Sequence, residues 1–478
     1  MAMGRRRKEQ QGSLWVETAR LAQRAGHPFY ERLNRVLDES GFDEFVESRC
    51  QQFYAGQVGR PSLAPAVYFR LLLIGYFEGI DSERGIAWRV ADSLALRRFL
   101  GFELSEQTPD HSTISRNRRL IDVETHQDVF SWIVQLLAKR GLVKGKTLGV
   151  DATTLEANAA MRSIVRRDSG ESYDEFLEGL AKESGIETPT RQELAKLDRD
   201  RPKKGSNQEW RHPHDGDARI TKMKDGRTHL AHKAEHAVDM ETGAVVAVTV
   251  QGADRGDTQS MDETLSEAAE NLQEALDDEG AREQLSDELM SEIVADKGYH
   301  SNAVLVGLGG EGARTYISEP NRGRRNWRGK AEAKRATYAN RRRIRGNRGK
   351  ELLRHRGEHL ERSFAHAYET GGMRRVHLRG HANILKRLLI HTAAFNLGLV
   401  LRAVFGVGTP RGLQGRLRAF LSSIWAALRR LWPPSRPMVL HPGLAVPDTK
   451  RNRDPLPLIF QILKLPFGRR IGCSATGC

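Results

Sequence analysis

The sequence predicts an α/β fold, a mixed sheet flanked by helices and preceded by an all-α, helix-turn-helix-like segment. Three observations carry this. Up to about residue 140, apolar stretches at helical spacing alternate with tight breaks. From Thr147 the pattern changes to short, β-branched, nearly all-apolar runs, the mark of strands buried on both faces. Longer stretches of helical character follow, and two of the apolar runs end in aspartate.

In order, residues 1 to about 60 read as a polar start and short helices. Arg60-Pro-Ser-Leu-Ala-Pro breaks the chain, and Ala66 to Glu78 follows as a buried helix. In the turn Gly79-Ile-Asp-Ser-Glu-Arg, Ser82 suits an N-cap for a helix running through Trp88 towards Ala91. A short helix carries Leu94, Leu96 and Phe99. Thr108-Pro-Asp-His-Ser-Thr opens another, which ends in Arg116-Asn-Arg-Arg. Small helices, tight turns and a basic last helix suit a helix-turn-helix-like DNA-binding unit, and equally an ordinary helical subdomain.

Thr147-Leu-Gly-Val-Asp-Ala reads as a buried strand delivering an aspartate at its end. Residues 156 to 215 are polar and Gly/Pro-punctuated, as in an inserted or mobile region. Asp225-Gly226, between His214 to Met223 and Thr228 to Asp239, signals a hairpin. Ala244 to Gln251 is a central strand, and Asp257 to Glu292 a long acidic helical stretch. Glu292-Ile-Val-Ala-Asp is a second strand ending in aspartate, and Arg314-Thr-Tyr-Ile-Ser another strand. Residues 321 to 350 form a dense basic run, expected as a loop. Glu351 to Glu369 and Ala382 to Val404 are helical. Three strands, helix, strand, helix, strand and closing helix is the element order of an RNase H-like fold. The expected domains are a helical N-terminal DNA-binding domain (1–140), a catalytic domain (141–405) with an insertion at 156–215 and a basic loop at 321–350, and a peripheral tail (406–478). That tail holds one basic amphipathic stretch, Leu417 to Trp432, and is otherwise Pro-rich and irregular.

Composition narrows the partners. Among 478 residues, Lys and Arg number 76 against 61 acidic residues, a net charge of +15 that points to a polyanion, nucleic acid first. The scattered Cys50, Cys473 and Cys478 exclude a disulfide framework or a zinc site. The basic start lacks the apolar stretch of a signal peptide. The longest apolar candidate, Ile384 to Val407, is broken by Lys386, Arg387, His391 and Arg402, so no membrane span is expected and the cytoplasm is.

Phosphoryl transfer on DNA needs an activated attacking oxygen and a stabilised leaving oxygen, which two divalent metals held by carboxylates provide. Asp151 is one candidate ligand, because a carboxylate ending a buried strand is costly unless paired or metal-bound. Asp296, leading into Lys297-Gly-Tyr-His-Ser, is a second. Glu361 is a third, on a helix where Phe364, Ala365 and Tyr368 share its face and turn it inward. Asp254, Asp257 and Glu358 are rivals. Each of these acids has an ordinary alternative as a cap, a turn former or a salt-bridged core residue. Arg341, Arg342, Arg343 and Arg345 in the basic run, Arg354, Arg356 and Arg362 beside Glu361, and Lys297 are candidate DNA-binding residues. Trp327 and Tyr338 suit stacking on an unpaired base.

Gly149-Val-Asp-Ala-Thr-Thr-Leu-Glu-Ala-Asn, Ala295-Asp-Lys-Gly-Tyr-His-Ser and Leu360-Glu-Arg-Ser-Phe-Ala-His resemble the three catalytic motifs of DDE transposases from bacterial insertion sequences. Arg70-Leu-Leu-Leu-Ile-Gly-Tyr-Phe-Glu-Gly-Ile, Leu96-Arg-Arg-Phe-Leu-Gly and Thr108-Pro-Asp-His-Ser-Thr-Ile-Ser-Arg resemble the helical domain preceding that core. Together the motifs span roughly residues 35 to 400. The resemblance implies an RNase H-like core and a Mg²⁺-dependent cut at terminal inverted repeats, followed by insertion into target DNA. It implies Asp151 and Asp296 as the two aspartates bridging the metals and Glu361 as the glutamate completing the second metal site, with Mn²⁺ able to substitute. Related transposases often carry Tyr and Arg seven and four residues before that glutamate and Lys seven after; here Arg354, Gly357 and Tyr368 stand there. The implied partner is double-stranded DNA, both terminal repeat and target, with a homodimer on DNA because two ends must meet. The implied location is the bacterial cytoplasm at the nucleoid. A nuclease on the same fold, a catalytically degenerate DNA-binding regulator and a basic RNA-binding protein are the alternatives.

Overall fold

The structure is a computed structural model and describes residues 26–55, 62–200, 205–223, 226–323 and 325–413. The chain divides into two units, Met1–Arg418 and Ala419–Cys478; the second, with most of the expected tail and its amphipathic stretch, lies outside the described residues. So do residues 224–225 of the expected hairpin turn and the breaker's first two residues, Arg60 and Pro61.

Among the described residues seven α-helices come first: α1 (Pro28–Glu39), α2 (Phe42–Cys50), α3 (Pro65–Glu78), α4 (Glu83–Ala91), α5 (Leu94–Phe99), α6 (His111–Leu120) and α7 (Val123–Lys139). Their starts follow the capping rules. Ser82, Ser93, Asp110 and Asp122 accept from backbone N–H groups of their first turns, and Pro opens α1 and α3. Helix α3 is buried on every side, so even its Arg70 lies inside, donating to Asp38 and Asp43.

The strands are β1 (Thr147–Glu156), β2 (Val165–Arg166), β3 (Trp210–Arg211), β4 (Arg219–Lys222), β5 (Thr228–Asp239), β6 (Val245–Gly252), β7 (Glu292–Ala295) and β8 (Arg314–Ile317). The main sheet runs β6-β5-β1-β7-β8, with the short β4 also on β5. Pairs β6-β5 and β5-β1 are antiparallel, while β1-β7 and β7-β8 are parallel. This is the RNase H-like arrangement that the element order predicts. It makes β1 central and sets the end of β7 beside the middle of β1, with Val150 opposite Ala295.

The remaining helices are α8 (Tyr173–Glu183), α9 (Arg191–Asp200), α10 (Asp257–Leu276), α11 (Glu279–Arg282), α12 (Asn302–Gly310), α13 (Ala331–Arg345), α14 (Asn347–Phe364) and α15 (His381–Phe405). Successive strand residues face opposite ways. Glu235 of β5 therefore meets α10, and its neighbour His236 meets α14 and the turn after it. Helix α15 is long and apolar enough by composition to cross a membrane, but most of its apolar window is buried in the fold. Buried Lys386 donates to the carbonyls of Arg118 and Ile121, and buried Arg387 to that of Ile80, so α15 also anchors the N-terminal helices.

Three expectations change. The acidic helical stretch ends at Leu276 and Arg282, not Glu292; Glu292 is the buried first residue of β7, held by Thr147, Tyr316 and Arg348. The basic loop at 321–350 is largely α13 and the start of α14. It folds because polar residues anchor it: buried Asn340 brackets Ile317 of β8, taking its N–H at 3.0 Å and giving to its carbonyl at 2.8 Å. The insertion at 156–215 carries its own small apolar cluster of Ala157, Ile164 and Trp210 with Ala218 and Leu230.

Candidate active site

Asp151 lies midway along β1, one residue past the last β1-β7 pair, and Asp296 directly follows β7. Parallel pairing thus brings the two carboxylates to one edge of the sheet. Asp151 accepts from the Ala152 N–H at 2.8 Å and from Arg356 Nη1 of α14 at 2.8 Å. Burial raises its carboxyl above the ordinary carboxylate value; Arg356 pulls it down, and the neighbouring Asp296 charge adds to the rise. Asp296 caps the 3₁₀ turn Lys297–Tyr299, accepting from the Gly298 N–H at 2.6 Å.

Gly298 shows why that turn needs glycine. A Cβ there would lie 2.3 Å from Asp257 Oδ2 and 3.0 Å from Asp296 Oδ1. Two carboxylates thus close on one backbone position, and Asp257, first residue of α10, joins the edge. Lys233 Nζ neutralises it at 2.6 Å. Beneath them Glu235 is fully buried and accepts from Ser260 Oγ at 2.8 Å, Thr264 Oγ1 at 2.5 Å and Tyr299 OH at 2.7 Å. The Asp296 turn is therefore tied to β5 and α10 through Tyr299.

Helix α14 reaches this edge because Gly149 lets it approach: a Cβ at Gly149 would stand 3.2 Å from Leu360 Cδ1 and 2.5 Å from Met240 Sδ. His236, paired across the strands with Asp151, accepts at Nε2 from or gives to Tyr368 OH at 2.7 Å, and meets Ser363 Oγ at 3.3 Å. Burial lowers this imidazole to about 3, keeping it neutral.

Glu361 departs from expectation. Phe364 and Tyr368 are buried, yet Glu361 and Ala365 are exposed, and Glu361 has no charged partner among the described residues. The buried stripe of α14 runs through Leu360, Ser363 and Phe364, and Glu361 stands beside it; the helix then continues as a π-helical turn, Ala365–Thr370, with Ala367 and Tyr368 buried. Among the described residues no group of three or more His, Cys, Asp and Glu side chains is gathered closely enough to hold a metal ion. The donor chemistry of the Asp151–Asp296 pair still fits a hard divalent cation: carboxylate oxygens on adjacent strands. Of the rivals, Asp254 lies 3.6 Å from Arg219, and Glu358 is exposed.

The expected DNA-binding residues divide. Arg342, Arg345, Arg354, Arg362 and Lys297 are exposed. Arg341 forms a two-pronged pair with Glu319 at 2.7 Å, and Arg343 donates to the Thr315 carbonyl and hydroxyl, so both serve the fold. Arg356 is spent on Asp151. Sequence reasoning missed Lys233, Glu235 and Tyr299. The available signal was charge inside β5, Lys233-Ala-Glu-His, in an otherwise apolar strand.

The sheet is RNase H-like, with Asp151 on its central strand and Asp296 directly after the neighbouring one. Two family models match this chain: Transposase domain (DUF772) over residues 17–120, and Transposase DDE domain over residues 207–397. The chain belongs to the DDE transposases of insertion-sequence type. Asp296 and Glu361 fall within the second match, and Asp151 lies between the two. No curated protein and no solved structure matches the chain.

Proposed function

We propose that this chain is a transposase that binds the terminal inverted repeats of its element, cuts there and joins the freed 3′-hydroxyl ends to target DNA. One observation carries the reading: Asp151 and Asp296 meet at the edge of an RNase H-like sheet in a chain that matches both transposase domains. Asp151, Asp296 and Glu361 are the catalytic carboxylates and would hold the divalent cations, Mg²⁺ with Mn²⁺ able to substitute. Such ions, when bound, supply Lewis acidity at the scissile phosphate. The chain's own part is orientation. The Tyr299 anchor and Gly298 N–H fix Asp296, and Arg356 holds Asp151 and opposes the rise that burial gives its carboxyl. Glu361 lies on the same helix as Arg356, and its part in the site calls for a shift of α14 when DNA binds. Hydrolysis breaks the phosphodiester and frees a 3′-hydroxyl, which then attacks a target phosphate in line and displaces its 3′ oxygen. Joining two ends calls for two copies on DNA. The work belongs at the bacterial nucleoid.

The test is a labelled duplex carrying the element's end and flanking DNA, incubated with Mg²⁺ or Mn²⁺ and wild type or Asp296→Asn. The reading expects metal-dependent cutting by wild type, and binding without cutting by the variant. Wild type that binds but never cuts would favour a DNA-binding regulator, the reading that the exposed position of Glu361 favours. Cutting without joined products would favour a nuclease.

A further inference from the structure

A row of arginines follows β1 away from the aspartate edge. Arg356 sits on Asp151, Arg374 Nη1 reaches Thr153 Oγ1 at 3.2 Å, and Arg375 lies 3.8 Å from Glu156. Arg379 Nε donates to the Asn158 carbonyl at 3.4 Å. The last three belong to the segment after the π-helical turn, which pairs with the end of β1: Glu156 N–H donates to the Arg374 carbonyl and Val376 N–H to that of Glu156. The row is thus fixed to the strand that carries Asp151. It ends in a groove of about 530 Å³, walled by Arg119 and Ser115 of α6 on one side and His377 and Arg379 on the other.

Charge along the row is not uniform. Arg374 is paired with Glu369 at 3.0 Å, Arg375 lies near Glu156, and His377 meets Asp81 at 3.0 Å. Arg119 and Arg379 are exposed and have no carboxylate partner among the described residues. Each is steadied through Nε by a backbone carbonyl, of Ser115 and of Asn158, at 3.4 Å. Two pre-positioned guanidinium groups facing one groove suit phosphate oxygens. Asn158 lies seven residues beyond Asp151, roughly 23 Å along an extended chain at the usual strand rise. That corresponds to about seven base pairs of duplex.

We propose that this groove between α6 and residues 377–379 is a phosphate track for double-stranded DNA, with Arg119 and Arg379 gripping the backbone about seven base pairs from the cut. The proposal rests on the transposase reading above. It also moves the main grip on DNA away from the 341–345 run, whose Arg341 and Arg343 are committed to Glu319 and Thr315.

The experiment measures binding of the full chain to a fluorescent 30-base-pair duplex of random sequence across NaCl concentrations. Arg119→Ala/Arg379→Ala should lower the slope of log affinity against log salt by about two, and weaken binding at least tenfold near physiological salt. Arg119→Lys/Arg379→Lys should keep the slope, which separates charge from folding, and circular dichroism melting checks that both variants fold. Wild type that binds with salt dependence, beside an alanine variant of unchanged slope, overturns the track and leaves the transposase reading standing. Wild type that binds no duplex at all overturns both.

Discussion

Arg356 Nη1 donates to Asp151 Oδ2 at 2.8 Å, joining helix α14 to the central strand at the point where chemistry is expected. The pair is partly solvated, with side-chain exposures of 20% and 25%. Arg356→Gln should therefore cost under about 1 kcal/mol of stability. Its larger effect is on ionisation. Burial already raises the Asp151 carboxyl, and losing the cation raises it further. Fewer Asp151 carboxylates are then ionised at a given acidic pH, so the acid limb of the cleavage profile should move towards neutral pH. A limb that stays in place would show that Asp151 ionisation does not govern the rate.

Gly298 separates stability from activity. Its φ is not in the left-handed region, so space alone demands glycine. In Gly298→Ala the new Cβ meets the Asp257 and Asp296 carboxylates, which can swing aside at small cost. Stability should fall by about 1 kcal/mol or less. Cleavage should fall about a hundredfold, because an ångström of misplacement in a reacting group has that effect. Equal activity in the alanine variant would place Asp296 outside the reaction.

These two residues also mark how far the sequence could be read. Asp151 and Asp296 were legible because each ends an apolar run, and strand ends are local patterns. Glu361 was legible as a motif residue but not in its orientation, since the buried stripe of α14 runs through Leu360, Ser363 and Phe364 and leaves Glu361 beside it. The helix α13 hid inside the basic run because Thr337 and Asn340, not apolar side chains, form its buried face. The partners of Glu235 come from residues 25 to 64 positions away, which no spacing rule foresees.

Tyr299 tests whether that buried network holds the site. Its hydroxyl donates to Glu235 Oε1 at 2.7 Å, and burial drives its ionisation far above the ordinary range, so it stays a donor. Tyr299→Phe removes one of the donors to a buried carboxylate. The expected loss is about 2 kcal/mol in urea unfolding. Cleavage should need more Mg²⁺ for half-maximal rate, because the Asp296 turn loses its tether. A variant with wild-type stability and the same Mg²⁺ dependence would show that the turn is held by packing alone.

Three buried imidazoles give the pH dependence of stability a definite sign. Burial lowers His126 and His236 to about 3 and His391 well below its usual value. Burial keeps all three neutral, against the bonds that His126 and His391 give to backbone carbonyls. His126 Nδ1 donates to the Asp122 carbonyl, His236 Nε2 meets Tyr368 OH, and His391 Nε2 donates to the Gly371 carbonyl. Unfolded, each histidine titrates near 6.5, so below that pH the unfolded chain binds more protons and is favoured. Each group then removes about 1.4 kcal/mol per pH unit until its folded value is reached. Glu267 works the other way: burial and the charges of Glu270, Glu274 and Glu263 raise it to about 7, so its protonation favours the fold as pH falls from 7 towards 4.5. His212, His300, His359, His366 and His381 are lowered by burial as well, and outnumber the raised Asp151 and Glu274, so the balance is a net decline. The melting temperature should fall steadily from pH 6.5 to pH 5, and His236→Gln should make that fall shallower. A profile that is flat across this window, or that rises, would mean that these imidazoles reach solvent in the folded chain.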